Sequence, residues 1–205
     1  MKVAALYDVH AMPWALEAVL AEVDADRIVF GGDFLGGPCE RETLELMSAV
    51  DNAVLIRGNV ENDGPNAEQL PLTVVFDGVV YCHATPFDNT PITTAITPDD
   101  AVLAAFGDSG TFVIGHTHHQ FDRRIGDLRV INAGSVGMAY EDEVAAFWTL
   151  VVDGEPEFRK TPFDVERAIR AIEASGWADG PAFVAENLRV AQSRDDAIAE
   201  LEARR

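Results

Sequence analysis

The chain has 205 residues, of which 48% are hydrophobic and 24% are charged, and this composition excludes a disordered, collagen-like or coiled-coil protein. Its 35 acidic and 15 basic residues give a formal net charge of −20 at pH 7, which disfavours binding to long nucleic acids and to anionic lipid surfaces. A chain of this length buries roughly 70% of the surface that it exposes when unfolded. Its two cysteines, Cys39 and Cys82, are therefore interpreted as buried apolar side chains and not as a disulfide.

The N-terminus shows no targeting signal. Only a handful of apolar residues precede Asp8 and His10, which is too few for the apolar region of a secretory signal peptide. The longest apolar runs of the chain are also too short to cross a bilayer. We therefore expect a cytoplasmic protein with no membrane partner, whose acidic residues form a solvated surface.

Short β-branched runs alternate with helical patterns at the start of the chain. Apolar residues at helical spacing predict helices at 12–23 and 43–50, and the runs around them predict buried strands. The predicted strands are residues 3–7, 27–31 and 53–57. This βαβαβ order predicts a largely parallel sheet with right-handed crossovers.

The middle of the chain has the pattern of antiparallel strands. Three two-residue turn signals, Asp77-Gly78, Gly126-Asp127 and Asp153-Gly154, each separate two strand-like runs. The predicted strands are 72–76, 79–83, 111–115, 121–125, 128–132, 144–152 and 155–160, with a helix at 98–106. Together with the first sheet, these strands predict two sheets packed face to face.

The last part of the chain is predicted to be helical. Residues 164–175 carry an apolar stripe, and Gly176 is placed to end that helix. A second helix is predicted from 181 through 188 and on toward 201. These helices fit both dimerisation and capping of the sheet within one subunit.

Polar side chains follow the predicted strands at their carboxyl ends, where ligands bind in open α/β sheets. Seven of these side chains carry metal-binding groups: Asp8, His10, Asp33, Asn59, His83, His116 and His118. A single histidine at a strand end is usually structural, but four of the five histidines of the chain belong to this set, which predicts a shared site. Asp8 with His10, and His116 with His118, have a spacing that in extended backbone points both side chains to the same side.

The chemistry of this set indicates the class of metal ion. Imidazole, carboxylate and amide oxygen ligands suit Mn²⁺, Fe²⁺, Zn²⁺ or similar ions, and they do not suit an all-oxygen calcium site or a thiolate zinc site. Cys82 alternates with His83 along the strand, so its side chain is expected to face the opposite way, into apolar packing.

The ordered motifs resemble those of the calcineurin-like metallophosphoesterase superfamily, and especially its small single-domain bacterial and archaeal phosphodiesterases. The motifs are Asp8-x-His10, Gly32-Asp33, Gly58-Asn59, His83 and Gly115-His116-x-His118. The run Asn132-Ala133-Gly134-Ser135 also resembles the Asn-Pro-Gly-Ser loop of that family, with alanine in place of proline. The resemblance implies an α/β fold, a four-layer α/β/β/α sandwich of two mixed sheets flanked by helices. It also implies one domain over 1–205, with 1–160 as the catalytic sandwich core and 161–205 as a C-terminal helical extension.

The resemblance further implies a centre of two divalent transition-metal ions, with Mn²⁺ expected first and Fe²⁺, Ni²⁺ or Zn²⁺ as alternatives. By position in the motifs, Asp8, His10 and His118 would hold one ion, and Asn59, His83 and His116 would hold the other, with Asp33 bridging both. The ions would bind phosphoryl oxygens and acidify a water to hydroxide for in-line attack on phosphorus, so no protein nucleophile is required. Asp33 and Asn59 thereby count as catalytic residues as well as ligands.

One departure from the family concerns the proton donor. Many members carry a histidine after the Gly-Asn pair, whereas this chain has Val60 and then Glu61. General acid catalysis typically contributes about 10²–10⁴-fold, so monoester hydrolysis is expected to be slow. The phosphodiesterase branch often lacks this histidine as well. His119, the fifth histidine, is the candidate replacement donor, with a surface or packing role as the alternative.

The sequence therefore predicts a metal-dependent phosphoric ester hydrolase that acts on small phosphodiesters or monoesters. The alternatives are a nucleotide pyrophosphohydrolase, a protein phosphatase, or a non-catalytic scaffold similar to the metallophosphoesterase-like subunit of the retromer coat. A competent residue at all seven ligand positions favours an enzyme. The expected partner is a small phosphate ester, and the sequence leaves a homodimer or a higher homo-oligomer open.

Overall fold

A computed structural model describes residues 1–64 and 67–205. The strands in these residues form two five-stranded sheets, ordered β10-β9-β1-β2-β3 and β4-β5-β6-β8-β7. Their bounds are β1 Lys2–Leu6, β2 Arg27–Phe30, β3 Ala53–Leu55, β4 Thr73–Phe76, β5 Val79–Cys82, β6 Ser109–Ile114, β7 Phe121–Ile125, β8 Asp127–Asn132, β9 Ala146–Val152 and β10 Glu155–Thr161. The helices are α1 Pro13–Leu20, α2 Glu40–Ser48, α3 Asp99–Phe106, α4 Val165–Ser175, α5 Gly180–Phe183 and α6 Arg194–Arg204.

The first sheet has a parallel half and an antiparallel half. β1 pairs with β2 and β2 with β3 in parallel, as the βαβαβ order predicts. β9 pairs antiparallel with both β1 and β10. The carboxyl ends of β1, β2 and β3 therefore lie at the same edge of this sheet.

The second sheet is also mixed. β5, β6 and β8 are parallel neighbours, while β4 and β7 pair antiparallel at its two edges. The β4–β5 hairpin turns through Asp77 and Gly78 with φ of 49° and 78°, and two positive φ values in succession are typical of a type I′ turn. The turn signal of the sequence is thus confirmed.

Three apolar clusters separate four layers. Ala4 and Leu6 of β1 face a cluster that includes helical residues of α1 and α4, while Val3 and Ala5 face the second sheet. This alternation follows from the two-residue period of a strand. A third cluster joins the far face of the second sheet to α3 through Phe106. The predicted α/β/β/α sandwich of two mixed sheets is confirmed.

The C-terminal helices differ from the prediction in one respect. Asp164 accepts a hydrogen bond from the Arg167 N–H at the start of α4, and Gly176 ends the helix with φ of 71°, as expected. A continuous helix from 181 toward 201 was wrong, because α5 passes into a short π-helical turn at Val184–Leu188 and α6 starts anew after Ser193. The Ser193 hydroxyl accepts from the Asp196 N–H, which caps a new helix at that point.

Among the residues that the structure describes, no helix is both long and apolar enough to span a membrane.

Candidate metal centre

The carboxyl ends of the parallel strands bring six of the seven predicted ligands into two neighbouring groups. The ligand atoms within each group lie within 4.8 Å of one another. The first group is Asp8, His10 and His118, and the second group is Asp33, His83 and His116. Asn59 is placed beside the second group, since its Oδ1 lies 3.0 Å from Nε2 of His83.

The first group has a carboxylate oxygen that lacks a hydrogen bond. Asp8 is fully buried and its Oδ2 accepts from the backbone N–H of His116 at 2.9 Å. Its Oδ1 is buried without a hydrogen-bond partner in the described part of the chain and lies 3.4 Å from Nε2 of His118. Buried carboxylate oxygens are normally hydrogen-bonded or bound to a cation, so this atom is a candidate cation ligand.

The imidazoles of the first group point the same nitrogen toward one another. Nδ1 of His118 lies 2.8 Å from the Met138 carbonyl oxygen and donates to it, which leaves the Nε2 lone pair free. That Nε2 lies 3.2 Å from Nε2 of His10. Burial lowers the pKa of His10 to about 4, so its ring is neutral at pH 7 and available as a ligand.

The second group is held by backbone carbonyls in the same way. Nδ1 of His83 donates to the Gly31 oxygen at 2.9 Å, so its Nε2 faces Asn59 and, at 3.5 Å, Oδ2 of Asp33. Nε2 of His116 donates to the Thr90 oxygen at 3.0 Å, which leaves Nδ1 for a ligand. Each of these two rings therefore has one nitrogen fixed by a backbone carbonyl, which directs the other nitrogen toward the second group.

Protonation differs between the two imidazoles of the second group. Burial lowers the pKa of His116 to about 4. Burial also opposes the charged form of His83, but the carboxylates of Asp33 and Asp8 outweigh it and raise the pKa of His83 to about 9. An imidazolium at this place indicates that the pocket is suited to a positive charge.

Five of the seven predicted ligand residues lie on left-handed backbone. The φ values are 52° for Asp8, 46° for His10, 49° for Asp33, 66° for His116 and 57° for His118. The extended geometry assumed for the two i, i+2 pairs was therefore wrong, and His116 and His118 lie in different groups. Non-glycine residues adopt such φ values at a cost and concentrate at functional sites.

Glu61 fixes two of the ligand loops. It is buried, and its Oε2 accepts from the backbone N–H groups of Asp33 at 2.8 Å and Gly58 at 2.9 Å, while Oε1 accepts from that of Leu35 at 3.2 Å. Asp33 Oδ1 in turn accepts from the Val60 N–H at 2.8 Å. The loops after β2 and β3 are thus tied together through one carboxylate.

The loop after β8 supports the ligands of the first and last motifs. Asn132 donates to the Gly115 oxygen at 2.7 Å and to the Thr117 hydroxyl at 2.9 Å. The Ser135 hydroxyl donates to the backbone carbonyl oxygen of Asp8 at 2.8 Å. Alanine at 133 leaves these bonds in place, because the bonds come from the side chains on either side of it.

Glycine is required where these loops touch. A Cβ atom at Gly58 would lie 2.2 Å from both N and Oδ1 of Asp33, and one at Gly115 would lie 2.4 Å from Asp8 Oδ2. Both positions therefore exclude every larger residue while the carboxylates keep their places. The glycines of the motifs allow the ligand loops to approach one another.

His119 lies outside both ligand groups. Its side chain is fully buried, its Nδ1 lies 2.8 Å from the Thr117 oxygen, and its Nε2 accepts from the Ala95 N–H at 3.4 Å. Burial lowers the pKa of His119 to about 4. This placement favours a packing role, and its role as a proton donor stays a prediction.

The structure adds one aromatic residue that the sequence did not indicate. The ring of Tyr140 lies 4.8 Å from that of His118, at 35° between the planes. No motif or periodicity marks this tyrosine, because its position depends on the path of the loop after Ser135. Cys82, by contrast, is buried in the apolar cluster beside α3, as its alternation with His83 predicts.

A family model identifies the chain. The model described as the calcineurin-like phosphoesterase superfamily domain matches residues 1–155. The chain belongs to the calcineurin-like phosphoesterase superfamily. The family supports a phosphoester hydrolase in general, and the two ligand groups of the chain are candidate metal-binding groups.

Solved structures share the fold of this calcineurin-like phosphoesterase. A metallophosphoesterase from Sphaerobacter thermophilus is 21% identical with a TM-score of 0.72, and the match covers 86% of this chain and 94% of that chain. A hypothetical protein from Pyrococcus horikoshii OT3 is 16% identical with a TM-score of 0.72, covering 89% and 97%. Yfce, a phosphoesterase from E. coli, is 18% identical with a TM-score of 0.53, covering 80% and 100%. No curated protein matched the chain.

Proposed function

We propose that this chain is a dinuclear-metal-dependent phosphoesterase that hydrolyses small phosphodiesters. The observation that carries the proposal is the pair of adjoining ligand groups with an unpartnered, buried carboxylate oxygen between them. Asp8 Oδ1 lies 3.4 Å from His118 Nε2 of its own group and 4.0 Å from His83 Nε2 of the other. A cation in each group would give every one of these atoms a partner.

The donor atoms fit two divalent transition-metal ions. Each group offers one carboxylate and two imidazoles, and this mixture suits Mn²⁺, Fe²⁺, Ni²⁺ or Zn²⁺. Asn59 would complete the second group, and Asp33 would bridge the two ions. When bound, two such ions stabilise the charge on phosphoryl oxygens and lower the pKa of a water molecule that attacks phosphorus.

The residues of the chain have three tasks in this reaction. The carbonyl oxygens of Gly31, Met138 and Thr90 fix the ring orientations of His83, His118 and His116, so the ligands need little rearrangement. Two carboxylates leave a net positive charge on a pair of divalent ions, which attracts a phosphate despite the overall charge of −20. Glu61 keeps the loops of Asp33 and Asn59 at a fixed separation.

The residue after Asn59 affects which leaving groups the site can expel. Val60 has no proton to give to a leaving oxygen, and the structure shows His119 buried with both ring nitrogens in contact with backbone groups. Without a positioned acid, the substrates that react best are those whose leaving group needs least protonation. We therefore expect esters with activated leaving groups to be hydrolysed fastest. The proposed preference for diesters is supported by the resemblance to the phosphodiesterase branch, whose members often lack the histidine that Val60 replaces.

The test is a hydrolysis panel on protein stripped of metal with a chelator and then supplied with Mn²⁺, Ni²⁺ or Zn²⁺. The substrates are bis-(p-nitrophenyl) phosphate, p-nitrophenyl phosphate, a cyclic nucleotide and a dinucleoside polyphosphate. We expect hydrolysis to return with the metal, with a higher rate on the diester than on the monoester. A folded protein that binds about two ions per chain and hydrolyses none of the four would overturn the proposal in favour of a scaffold role.

A further inference from the structure

The last turn of α6 places Arg204 in the walls of two cavities, one of which Tyr140 also lines. This helix lies outside the residues matched by the family model, which end at 155. Arg204, Glu200 and Tyr140 line the same cavity, and the ring of Tyr140 lies 4.8 Å from that of His118. A helix from the C-terminal part of the chain therefore lines a cavity next to Tyr140, the residue whose ring lies beside His118.

Side-chain contacts at both ends fix the position of α6. At its start, Arg194 donates to Glu141 at 2.7 Å and to the Gln120 oxygen at 2.6 Å. Near its end, Glu202 accepts from the hydroxyls of Thr94, at 2.6 Å, and Thr97. Thr94 and Thr97 belong to the loop that follows β5, so this loop and the helix are held together.

A cavity of about 340 Å³ opens between that loop, α3 and α6. Thr90 lies in its wall, and the carbonyl oxygen of Thr90 accepts the hydrogen bond from Nε2 of His116. Thr90 thus connects the cavity to the ring of His116, a predicted metal ligand. Among the described residues, the charged side chains of its wall are Arg204 and Arg205, and Arg205 is paired with Glu202 at 3.0 Å.

A second cavity, on the His118 side, has the opposite character. Its volume is also about 340 Å³, and Tyr140 and Arg204 both line it. Three carboxylates, those of Glu186, Asp196 and Glu200, lie in its wall. Arg204 therefore separates an acidic cavity from a basic one, and an anion is attracted to the basic side.

We propose that Arg204, with Arg205 beside it, forms a subsite for a second phosphate group of the substrate, which deepens and rests on the proposed function. A guanidinium group binds phosphate through two parallel N–H donors, and two such groups are concentrated here in a chain with only 15 basic residues. The present partner of Arg204 is Glu200, and both side chains of this pair are 65% exposed. Exposed pairs of this kind are weak, so Arg204 can exchange Glu200 for a phosphate.

The substrate class follows from this geometry. The phosphate to be hydrolysed lies at the metal centre, and the second phosphate lies in the basic cavity past Thr90. Substrates with two phosphate groups, such as a nucleoside diphosphate ester or a nucleotide that carries a second phosphate on its sugar, satisfy both positions. A simple dialkyl or diaryl phosphate satisfies only the first.

The test compares Arg204→Gln with Arg189→Gln in Mn²⁺-loaded protein. Arg189 is a matched control, because it also belongs to the C-terminal helical part and forms an exposed ion pair, with Glu173. Calorimetry measures the binding of inorganic phosphate, pyrophosphate and tripolyphosphate. We expect Arg204→Gln to reduce the gain in affinity from phosphate to the longer anions by about tenfold, the value of one charge-assisted hydrogen bond, and Arg189→Gln to leave it unchanged.

A kinetic measurement separates the subsite from the proposed function. The substrates are thymidine 5′-(p-nitrophenyl phosphate) with and without a 3′-phosphate, and we expect Arg204→Gln to raise KM about tenfold for the 3′-phosphorylated one alone, with kcat unchanged. Equal effects on both substrates, or an unchanged anion preference, would overturn the subsite while hydrolysis by the wild type upholds the proposed function. A wild type that binds the longer anions through Arg204 but hydrolyses neither ester would overturn the function and uphold the subsite.

Discussion

The two ligand groups contain the same kinds of side chain but hold their protons differently. In the group of Asp8, His10 and His118, burial lowers the pKa of His10 to about 4, and Asp8 Oδ1 has no hydrogen bond among the described residues. In the group of Asp33, His83 and His116, the carboxylates raise the pKa of His83 to about 9. His10 in the first group is therefore free of a proton at pH 7, whereas His83 in the second group holds a proton where a cation would bind.

The difference in pKa between His83 and His10 arises from the groups that surround each imidazole. Asp33 Oδ2 lies 3.5 Å from Nε2 of His83, and Asp8 Oδ1 lies 4.0 Å from the same nitrogen, so two negative charges act on one imidazole. His10 instead faces a second imidazole, His118, at 3.2 Å. Identical ligand types thus give one site ready for metal and one that must exchange a proton for it.

The largest effect is expected from Asp33→Asn, because this residue is proposed to belong to both sites. Asparagine keeps the side-chain shape and tolerates the φ of 49° at this position. Changes to residues that only contact a metal ligand typically cost about 10–100-fold in metal affinity or activity. Asp33 is itself proposed as a ligand, so we expect a loss of at least about 100-fold in hydrolysis and weaker binding of both ions. Metal analysis and the diester assay would measure these losses.

Two variants make this result specific. His10→Gln is expected to weaken only the ion of the first group, and Asp51→Asn, which alters an exposed carboxylate in the turn before β3, is expected to change nothing. Full retention of both ions and of activity in Asp33→Asn would refute the bridging role.

A smaller effect is expected from Glu61→Gln, which acts on the second group through the backbone. The amide has one acceptor oxygen for the three N–H groups that the carboxylate now binds, so the loops of Asp33 and Asn59 lose part of their support. We expect a loss of about 10-fold in affinity for one ion, the lower end of the usual range for outer-shell partners. Glu45→Gln, on the exposed face of α2, is the control, and an unchanged affinity in Glu61→Gln would show that the ligand loops hold their shape without it.

The most gradual effect is the pH dependence of the second ion. The pKa of His83 is raised from 6.5 to about 9, so its proton stabilises the metal-free fold below pH 6.5, and this contribution is lost as the pH rises through about 9. His10 and His116, with pKa values lowered to about 4, act in the opposite sense, because they destabilise the fold as the pH falls from 6.5 toward 4. Metal-free protein is therefore expected to be most stable near pH 6.5.

Above pH 6.5, binding of the second ion is favoured as the stability of the metal-free fold falls. The second ion must displace the His83 proton, so its affinity is expected to rise about tenfold per pH unit until about pH 9, while the first ion binds with little change above pH 6.5. Calorimetric titration of Mn²⁺ at pH 6.5 and 8.5, in buffers of different ionisation enthalpy, counts the protons released. Equal proton release by both ions would remove the distinction between the two groups.

The ligand set was predictable from the sequence because parallel strands place their carboxyl ends at one edge. Six predicted ligands converge as two groups, although the argument from extended backbone did not apply to Asp8 and His10. The left-handed φ values that aim these side chains depend on contacts between distant loops, such as the hydrogen bond from the His10 N–H to the Asp33 oxygen at 2.9 Å. Local spacing does not contain that information.

The C-terminal part was predicted less well. The apolar stripe of α4 and its glycine end were readable because helix propensity and capping are local. The break in the predicted helix before Ser193 was not readable from the sequence. It depends on Asp142, fifty positions earlier in the chain, whose N–H donates to the backbone oxygen of Gln192. Long-range hydrogen bonds of this kind override the local preference for one continuous helix.

The sequence by itself determined the family, the two-sheet sandwich and the seven candidate ligands. Motif order and the hydrophobic periodicity of strands and helices are properties of the sequence alone. Only the tertiary structure decided which imidazole keeps a proton, how Glu61 joins two loops, and that Arg204 shares a cavity wall with Thr90. Those properties depend on distances between residues far apart in sequence and on burial. Both arise when the sheets close on each other and α6 packs against the loop after β5.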